Sequence, residues 1–255
     1  MKFSKKVALI TGSGRGIGAA IAGMFAENGA DVIINYVHNQ DSAEATAEKI
    51  RKAGRRAYVI RANIGKIEGI NKLFKAVENE FDRLDFFIAN AASGFNRPGM
   101  EQKVSGWDHT INVNARSFLF GTQRAVRLME NSGEGKIIAI SSPGAERVLP
   151  DYIAVGASKA ALNSLVRYLS VELATKNISV NGIAPGVVDT EALQHFSFMK
   201  QGNVLENAVA NTPAGRLVTP KDIANLVYFL CSSEAEMIRG QIITLDGGFT
   251  LQVPH

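Results

Sequence analysis

The stretch KVALITGSGRGIGAAIAGMFAENGA (6–30) constrains the fold more than any other part of the chain. A short apolar run rich in β-formers (6–11) breaks into a glycine-rich turn. Apolar residues then recur at helical spacing (16–30) up to an Asn-Gly stop. The alternation of strand and helix continues from there. DVIINY (31–36) reads as a second strand, 41–54 as an amphipathic helix closed by Gly54, and 56–64 as a third strand. Helix 66–81, strand 84–92, a Gly/Pro-containing loop at 93–106, a long helix at 107–130 and strand 135–141 follow. Helix 152–175, strand 178–186, helix 220–233 and strand 240–248 complete the pattern. Apolar strands alternating with helices predict a parallel sheet covered on both faces. No linker or repeat interrupts the series, so residues 1–255 read as one doubly wound α/β domain. Residues 187–216 have weak periodicity and read as a substrate-binding lid, in which HFSFM (195–199) offers apolar contacts either to a substrate chain or to the core.

Composition excludes several classes. A lone cysteine, Cys231, rules out an intrachain disulfide, and its apolar helical setting predicts a buried, inert thiol. No apolar run approaches the ~20 residues that span a bilayer. The short run at the start leads directly into the glycine turn, which reads as a strand and not a signal peptide, so a cytoplasmic setting is expected. The net charge of +4 comes from dispersed basic residues without interleaved aromatics, so no nucleic-acid partner is expected. A mild basic surplus suits an anionic cofactor or an acidic protein partner. His109 and His195 have no partners at ligand spacing, so no metal is expected. Trp107 reads as a packing anchor at the start of the long helix.

TGSGRGIG (11–18) closes the first strand and opens the first helix. Gly12, Gly16 and Gly18 permit a tight turn, and the amides of Ser13, Ile17 and their neighbours meet a diphosphate at the helix N-terminus. The second strand ends Asn35-Tyr36-Val37-His38, with no carboxylate to bind a ribose 2′-hydroxyl. Arg15 in the turn is able to reach a 2′-phosphate, which favours NADPH over NADH. Asn63 and Ile64 close the third strand, and Asn90 and Ala91 the fourth, near the expected adenine and ribose. Turn capping is the other reading of both asparagines. In the stretch APGVVDT (184–190), the backbone of Pro185, Gly186 and Val188 faces the carboxamide position, with Thr190 near the phosphates.

Tyr152 and Lys159 lie seven positions apart. On a helix that separation is about 700°, which leaves the two side chains roughly 20° apart and ~10 Å apart along the axis, on one groove. Asp151 reads as the cap of this helix, which places Tyr152 in the positive field of a helix start.

Taken together, TGSGRGIG, ANAA (89–92), NVNA (112–115), ISS (140–142), the Tyr/Lys pair, APG and LDGG (245–248) resemble the short-chain dehydrogenase/reductase superfamily along the whole chain. The resemblance implies a seven-stranded Rossmann sheet, a bound nicotinamide dinucleotide and a homotetramer paired through long helices. Within that superfamily, GAERVLPDYIAVGASKA, ANAASG, NTPAGRLV and MIRGQ are similar to enoyl-acyl-carrier-protein reductases of the NADPH-using type III branch. The type I branch carries a Tyr near Ser142, which this chain does not, and Asn63 stands where Asp is commoner.

The spacing carries a chemical consequence. Ketone reductases of the superfamily place Tyr four residues before Lys, where this chain has Val155. In reduction of an α,β-unsaturated thioester, hydride lands on the β-carbon while charge develops on the carbonyl oxygen two carbons away. A shift of Tyr by three positions moves its hydroxyl ~4.5 Å along the helix in keeping with that change. The expected roles follow. Lys159 binds nicotinamide ribose hydroxyls, Tyr152 stabilises the enolate oxygen, Asn114 anchors a water relay behind Lys159, and Ser142 orients substrate. Asn114 and Ser142 also have bland readings as polar residues satisfied by backbone. The sequence thus points to an NADPH-dependent enoyl thioester reductase of fatty acid synthesis. A 3-oxoacyl thioester or other carbonyl reductase is the alternative, and a non-catalytic NADPH-binding protein is a third reading. Helix 152–175 is apolar around most of its circumference, which predicts that it packs against a second subunit.

Overall fold

The computed structural model describes residues 2–188, 190 and 204–252. Seven strands form one sheet in the order β3-β2-β1-β4-β5-β6-β7. They are β1 (Val7–Ile10), β2 (Asp31–Tyr36), β3 (Ala57–Arg61), β4 (Phe86–Ala89), β5 (Gly135–Ile140), β6 (Ile178–Pro185) and β7 (Ile242–Leu245). Every pairing is parallel. Parallel neighbours need crossovers, and the helices supply them. These are α1 (Gly16–Glu27), α2 (Gln40–Lys52), α3 (Ile67–Phe81), α4 (Val104–Ile111), α5 (Ser117–Glu130), α6 (Ile153–Glu172), α7 (Val204–Ala210) and α8 (Pro220–Leu230).

The apolar strands bury both of their faces. On one, Ala8, Ile10, Val32 and Ile34 meet Ile21 and Phe25 of α1, Ile50 of α2 and Val227 of α8. On the other, Leu9, Ile33 and Phe87 meet Leu73 and Phe74 of α3, Phe118 of α5 and Val166 of α6. The alternate residues of each strand therefore enter different cores, as a pleat of period two requires. The chain reverses direction across the sheet between β1 and β4. Such a switch point opens a crevice at the strands' carboxyl ends. Cys231 lies in the α8 core, where burial pushes its thiol up, in keeping with an inert side chain. Among the described residues no helix is long and apolar enough to cross a membrane.

Three local expectations are corrected. Asp151 does not cap α6: it takes a left-handed conformation (φ 60°), and its carbonyl accepts the Arg97 N–H at 2.7 Å. Tyr152 itself is the N-cap residue, without a side-chain capping bond. The long helix begins at Val104, earlier than expected, and Asn112–Arg116 winds as a single π turn between α4 and α5. Trp107 is consequently inside a helix and 37% exposed, not a buried anchor. Of the expected lid, residues 189 and 191–203 lie outside the described residues, and with them His195 and the apolar stretch 195–199.

At the opposite, amino-terminal end of the sheet, Asp85 is 2% exposed and ties strand starts together. It accepts from the Val7 N–H at 2.8 Å and from both Nε and Nη2 of Arg83, with Lys6 Nζ at 3.1 Å. Removing one member of a buried, hydrogen-bonded charge cluster leaves the others unpaired. Asp85→Ala is expected to lower unfolding stability by roughly 3 kcal/mol in urea titration, with no direct effect on the crevice.

Candidate active site

The turn after β1 is held from both sides by its neighbouring strands. The buried Asn35 amide of β2 accepts the Gly12 N–H at 3.3 Å and donates to the Ala62 carbonyl at 3.0 Å. The Asn90 amide beyond β4 donates to the carbonyls of Thr11 (2.9 Å) and Gly12 (3.1 Å). The Thr11 hydroxyl accepts the backbone N–H groups of Asn90 and Ala91. Gly12 has φ 63°, and a Cβ on Gly18 would lie 2.6 Å from the Gly12 carbonyl oxygen. Only glycine allows α1 to start this close to the turn.

Several expected ligand residues are therefore builders of the turn. Ser13 is fully buried: its hydroxyl donates to the Ile10 carbonyl and accepts the Asn35 N–H. The Asn90 side chain points into the turn, and the Asn63 carboxamide accepts the Gly65 N–H in its own turn. Ile64 is buried in the α3-side core. Other residues stand at the crevice. Arg15 and Gly16 are exposed at the start of α1, Gly16 faces the Thr190 methyl, and Ile17 is half-buried. Tyr36 is half-buried and His38 exposed at the end of β2. Beyond β6, Pro185 is buried, the Gly186 N–H bonds the Leu245 carbonyl at 2.9 Å, and Val188 bridges to Val218.

The turn fits an anionic dinucleotide. No side chain caps α1, and its first turn has no acidic residue. The positive end of the helix dipole thus meets the crevice with no acidic residue in the helix's own first turn.

Tyr152 meets Ser142 just beyond β5, and Lys159 bonds the carbonyl of Ile140, two residues earlier on the same strand end. The Tyr152 hydroxyl donates to Ser142 Oγ at 3.4 Å, and Ser142 Oγ also accepts the Gly144 N–H at 3.1 Å. The Tyr152 ring lies against Gly144, where a Cβ would sit 2.6 Å from a ring carbon. Lys159 is 4% exposed and donates to the Ile140 carbonyl at 2.6 Å. Burial raises the Tyr152 phenol above its ordinary range, against a smaller opposing effect of the Ser142 bond. Burial also lowers the Lys159 ammonium to about 8.

Asn114 sits inside the π turn and is 3% exposed. It accepts the Ser93 N–H at 2.8 Å and donates to the Ser93 carbonyl and to Ser158 Oγ, both at 2.9 Å. A cavity of about 10 Å³ is lined by Asn114 and Lys159 among others, about the volume that a single water needs. His109 reaches Ser93 Oγ at 3.0 Å. Val155 is buried against the loop pinned by Asn114: a Cβ on Gly94 would overlap its Cγ2 methyl. The position four residues before Lys159 is thus a closed apolar wall. Sequence reasoning missed Asn35, Ser93, Gly94, Gly144 and Ser158. The one signal for Asn35 is a lone polar residue inside the apolar run IINY. Among the described residues no cluster of His, Cys, Asp or Glu could hold a metal ion.

A family profile described as enoyl-(acyl carrier protein) reductase matches residues 12–250. The 1-cyclohexenylcarbonyl-CoA reductase of Streptomyces collinus is 35% identical over 250 residues, covering 98% of this chain and 89% of the relative. A 7α-hydroxysteroid dehydrogenase structure with NADH and 7-oxo glycochenodeoxycholic acid superposes with a TM-score of 0.90 at 34% identity, over 97% and 95% of the two chains. The angucycline C-6 ketoreductase LanV with bound NADP gives a TM-score of 0.89 at 32% identity, over 98% of each chain.

The buried Lys159 carries a cost that pH reveals. Its amine titrates at about 8 when folded and near 10.5 when unfolded, so between those values the unfolded chain binds the extra proton. Stability therefore rises with pH across that window, and below about pH 8 the full cost of the buried cation is present. Lys159→Met is expected to stabilise the cofactor-free protein by roughly 1–3 kcal/mol at pH 7. The gain should shrink toward zero by pH 10.5 in urea titrations across the series.

Proposed function

The chain belongs to the short-chain dehydrogenase/reductase family, and on that premise we propose that it is an NADPH-dependent reductase of enoyl thioesters. Oxidoreductase chemistry comes with the family. The finer assignment rests on one observation: the Tyr152 hydroxyl meets Ser142, while the wall at Val155 offers no proton where a carbonyl reductase would carry its Tyr. The Streptomyces relative supports this reading, because a 1-cyclohexenylcarbonyl thioester has its double bond conjugated with the carbonyl.

The roles follow from the site. The glycine turn, the start of α1, Lys159 and the segment after β6 would hold the dinucleotide, which when bound supplies a hydride for the β-carbon. Tyr152 remains protonated at neutral pH, since burial raises its phenol, and so it can hydrogen-bond the thioester oxygen as enolate charge develops there, after which the α-carbon takes a proton from solvent water. Lys159 is protonated below about pH 8 and adds positive potential beside that oxygen. Asn114 lines the same small cavity as Lys159, a place suited to a relay water. The missing carboxylate at the end of β2 and the presence of Arg15 favour NADPH over NADH. The relatives do not decide between them, since one neighbour holds NADH and another NADP.

Fatty acid synthesis in the cytoplasm, with substrate on an acidic acyl carrier protein, is the setting this reading implies, and the surplus charge of +4 suits such a carrier. A carbonyl reductase is the second reading, favoured by the ketoreductase and hydroxysteroid dehydrogenase among the neighbours.

NADPH oxidation with crotonyl and acetoacetyl thioesters separates these readings. Crotonyl turnover is expected, and Tyr152→Phe should lower it by ~10²–10³-fold. Turnover of acetoacetyl thioester alone would move the assignment to a carbonyl reductase. Tight NADPH binding without either activity would favour a non-catalytic role. The outward face of α6 carries Tyr168 (75% exposed) and Val171 (80%), which supports pairing with another copy. Sedimentation is expected to show a tetramer, and Val171→Glu with Tyr168→Glu to give smaller species; a monomeric wild type would reject the assembly.

A further inference from the structure

We propose that Arg61 is a specificity residue for the 2′-phosphate of the dinucleotide, acting from β3 across the end of β2. This rests on the NADPH reading above. Arg61 is the last residue of β3 and pairs in register with Tyr36, the last residue of β2. Its Nε donates to the Val37 carbonyl at 3.1 Å. That bond fixes the guanidinium on the strand end beside which the adenosine ribose of a Rossmann-bound dinucleotide lies. The two Nη groups make no hydrogen bond among the described residues, so the bidentate edge of an exposed fork remains available for an anion.

The other arginines around β3 differ in kind. Arg51 pairs with Glu44, Arg55 with Asp31 and Arg56 with Glu80. Each has a carboxylate partner, and all three precede the strand. Arg61, at the carboxyl end, has only a neutral carbonyl, so its charge stays uncompensated toward the crevice. The lone carboxylate between residues 32 and 43 is Asp41, exposed in the first turn of α2. The start of α2 is itself capped, because Asn39 Oδ1 accepts the Ser42 N–H at 2.9 Å. The local field therefore favours a phosphate group on the Arg61 side, with His38 and Arg15 on the remaining rim.

The test is calorimetric titration of the full-length protein with NADPH, NADH, adenosine 2′,5′-bisphosphate and 5′-ADP. Arg61→Ala should weaken NADPH and the 2′,5′-bisphosphate by about tenfold or more. NADH and ADP should change by less than about twofold, since they make no contact of this kind. Arg61→Lys should recover part of the loss, as charge without the fork. Because Arg61 is exposed, the thermal midpoint should not move. Equal weakening of both ligand pairs would overturn the proposal. So would an unchanged NADPH affinity in Arg61→Ala alongside a full loss of preference in Arg15→Ala. Wild-type protein that binds neither dinucleotide would instead defeat the functional reading itself, and wild type that prefers NADH would defeat both.

Discussion

The crevice depends on one buried arrangement, the clamping of the β1–α1 turn between the ends of β2 and β4. A tight turn of glycines inside a covered sheet exposes carbonyls and amides that water cannot reach. Asn35 and Asn90 satisfy them from either side, and the Thr11 and Ser13 hydroxyls close the remaining bonds. With its own polar groups met by protein, the turn stays rigid while the start of α1 keeps its positive end toward the ligand face. The close seat of Gly18 on the Gly12 carbonyl depends on the same arrangement. A looser turn would let α1 slide, and the crevice floor would move with it.

That clamp also bears on what was legible in the sequence and what was not. The alternation of strands and helices, the parallel covered sheet and the glycine turn follow from hydrophobic period and from glycine placement, which are local properties; the strand order is not among them. Asn90 and Asn63 were open between a ligand contact and turn capping, and Ser13 was expected to offer its amide; in the structure all three side chains bond the backbone of turns. The backbone of the turns competes for the same side chains, because a buried N–H or C=O left unpaired is costly. The Asp151 cap failed for a related reason. The preceding loop reaches Arg97 through the Asp151 carbonyl, which fixes a left-handed backbone that no cap residue adopts. Tertiary contacts of this sort leave no periodic trace in the chain.

The Tyr152 position shows the two kinds of information meeting. Its separation from Lys159 is plain in the sequence, and the geometry of a helix turns that separation into one shared groove. The reason the groove excludes other placements is not local. Gly144 makes a flat seat for the Tyr152 ring, and the Ser93–Gly94 segment, held by Asn114, closes on Val155. A glycine at position 94 and an asparagine at position 114 act on the same wall although twenty residues apart.

The charges of the molecule are arranged along the strand direction. At the amino-terminal end they are neutralised in pairs, as at Asp85 with Arg83 and Lys6 or at Asp31 with Arg55. At the carboxyl end three cations lean on neutral main-chain carbonyls instead: Lys159 on Ile140, Arg61 on Val37 and Arg116 on Gly65. A carbonyl orients a cation without cancelling its charge, so positive potential persists over the crevice where a carboxylate partner would have removed it. The arrangement costs stability, most clearly at Lys159, whose ammonium is lowered to about 8 by burial. A chain selected for stability alone would have paired or removed that amine. Its retention at the end of β5 fits the proposed reductase, in which an anionic cofactor and a developing negative charge would meet it.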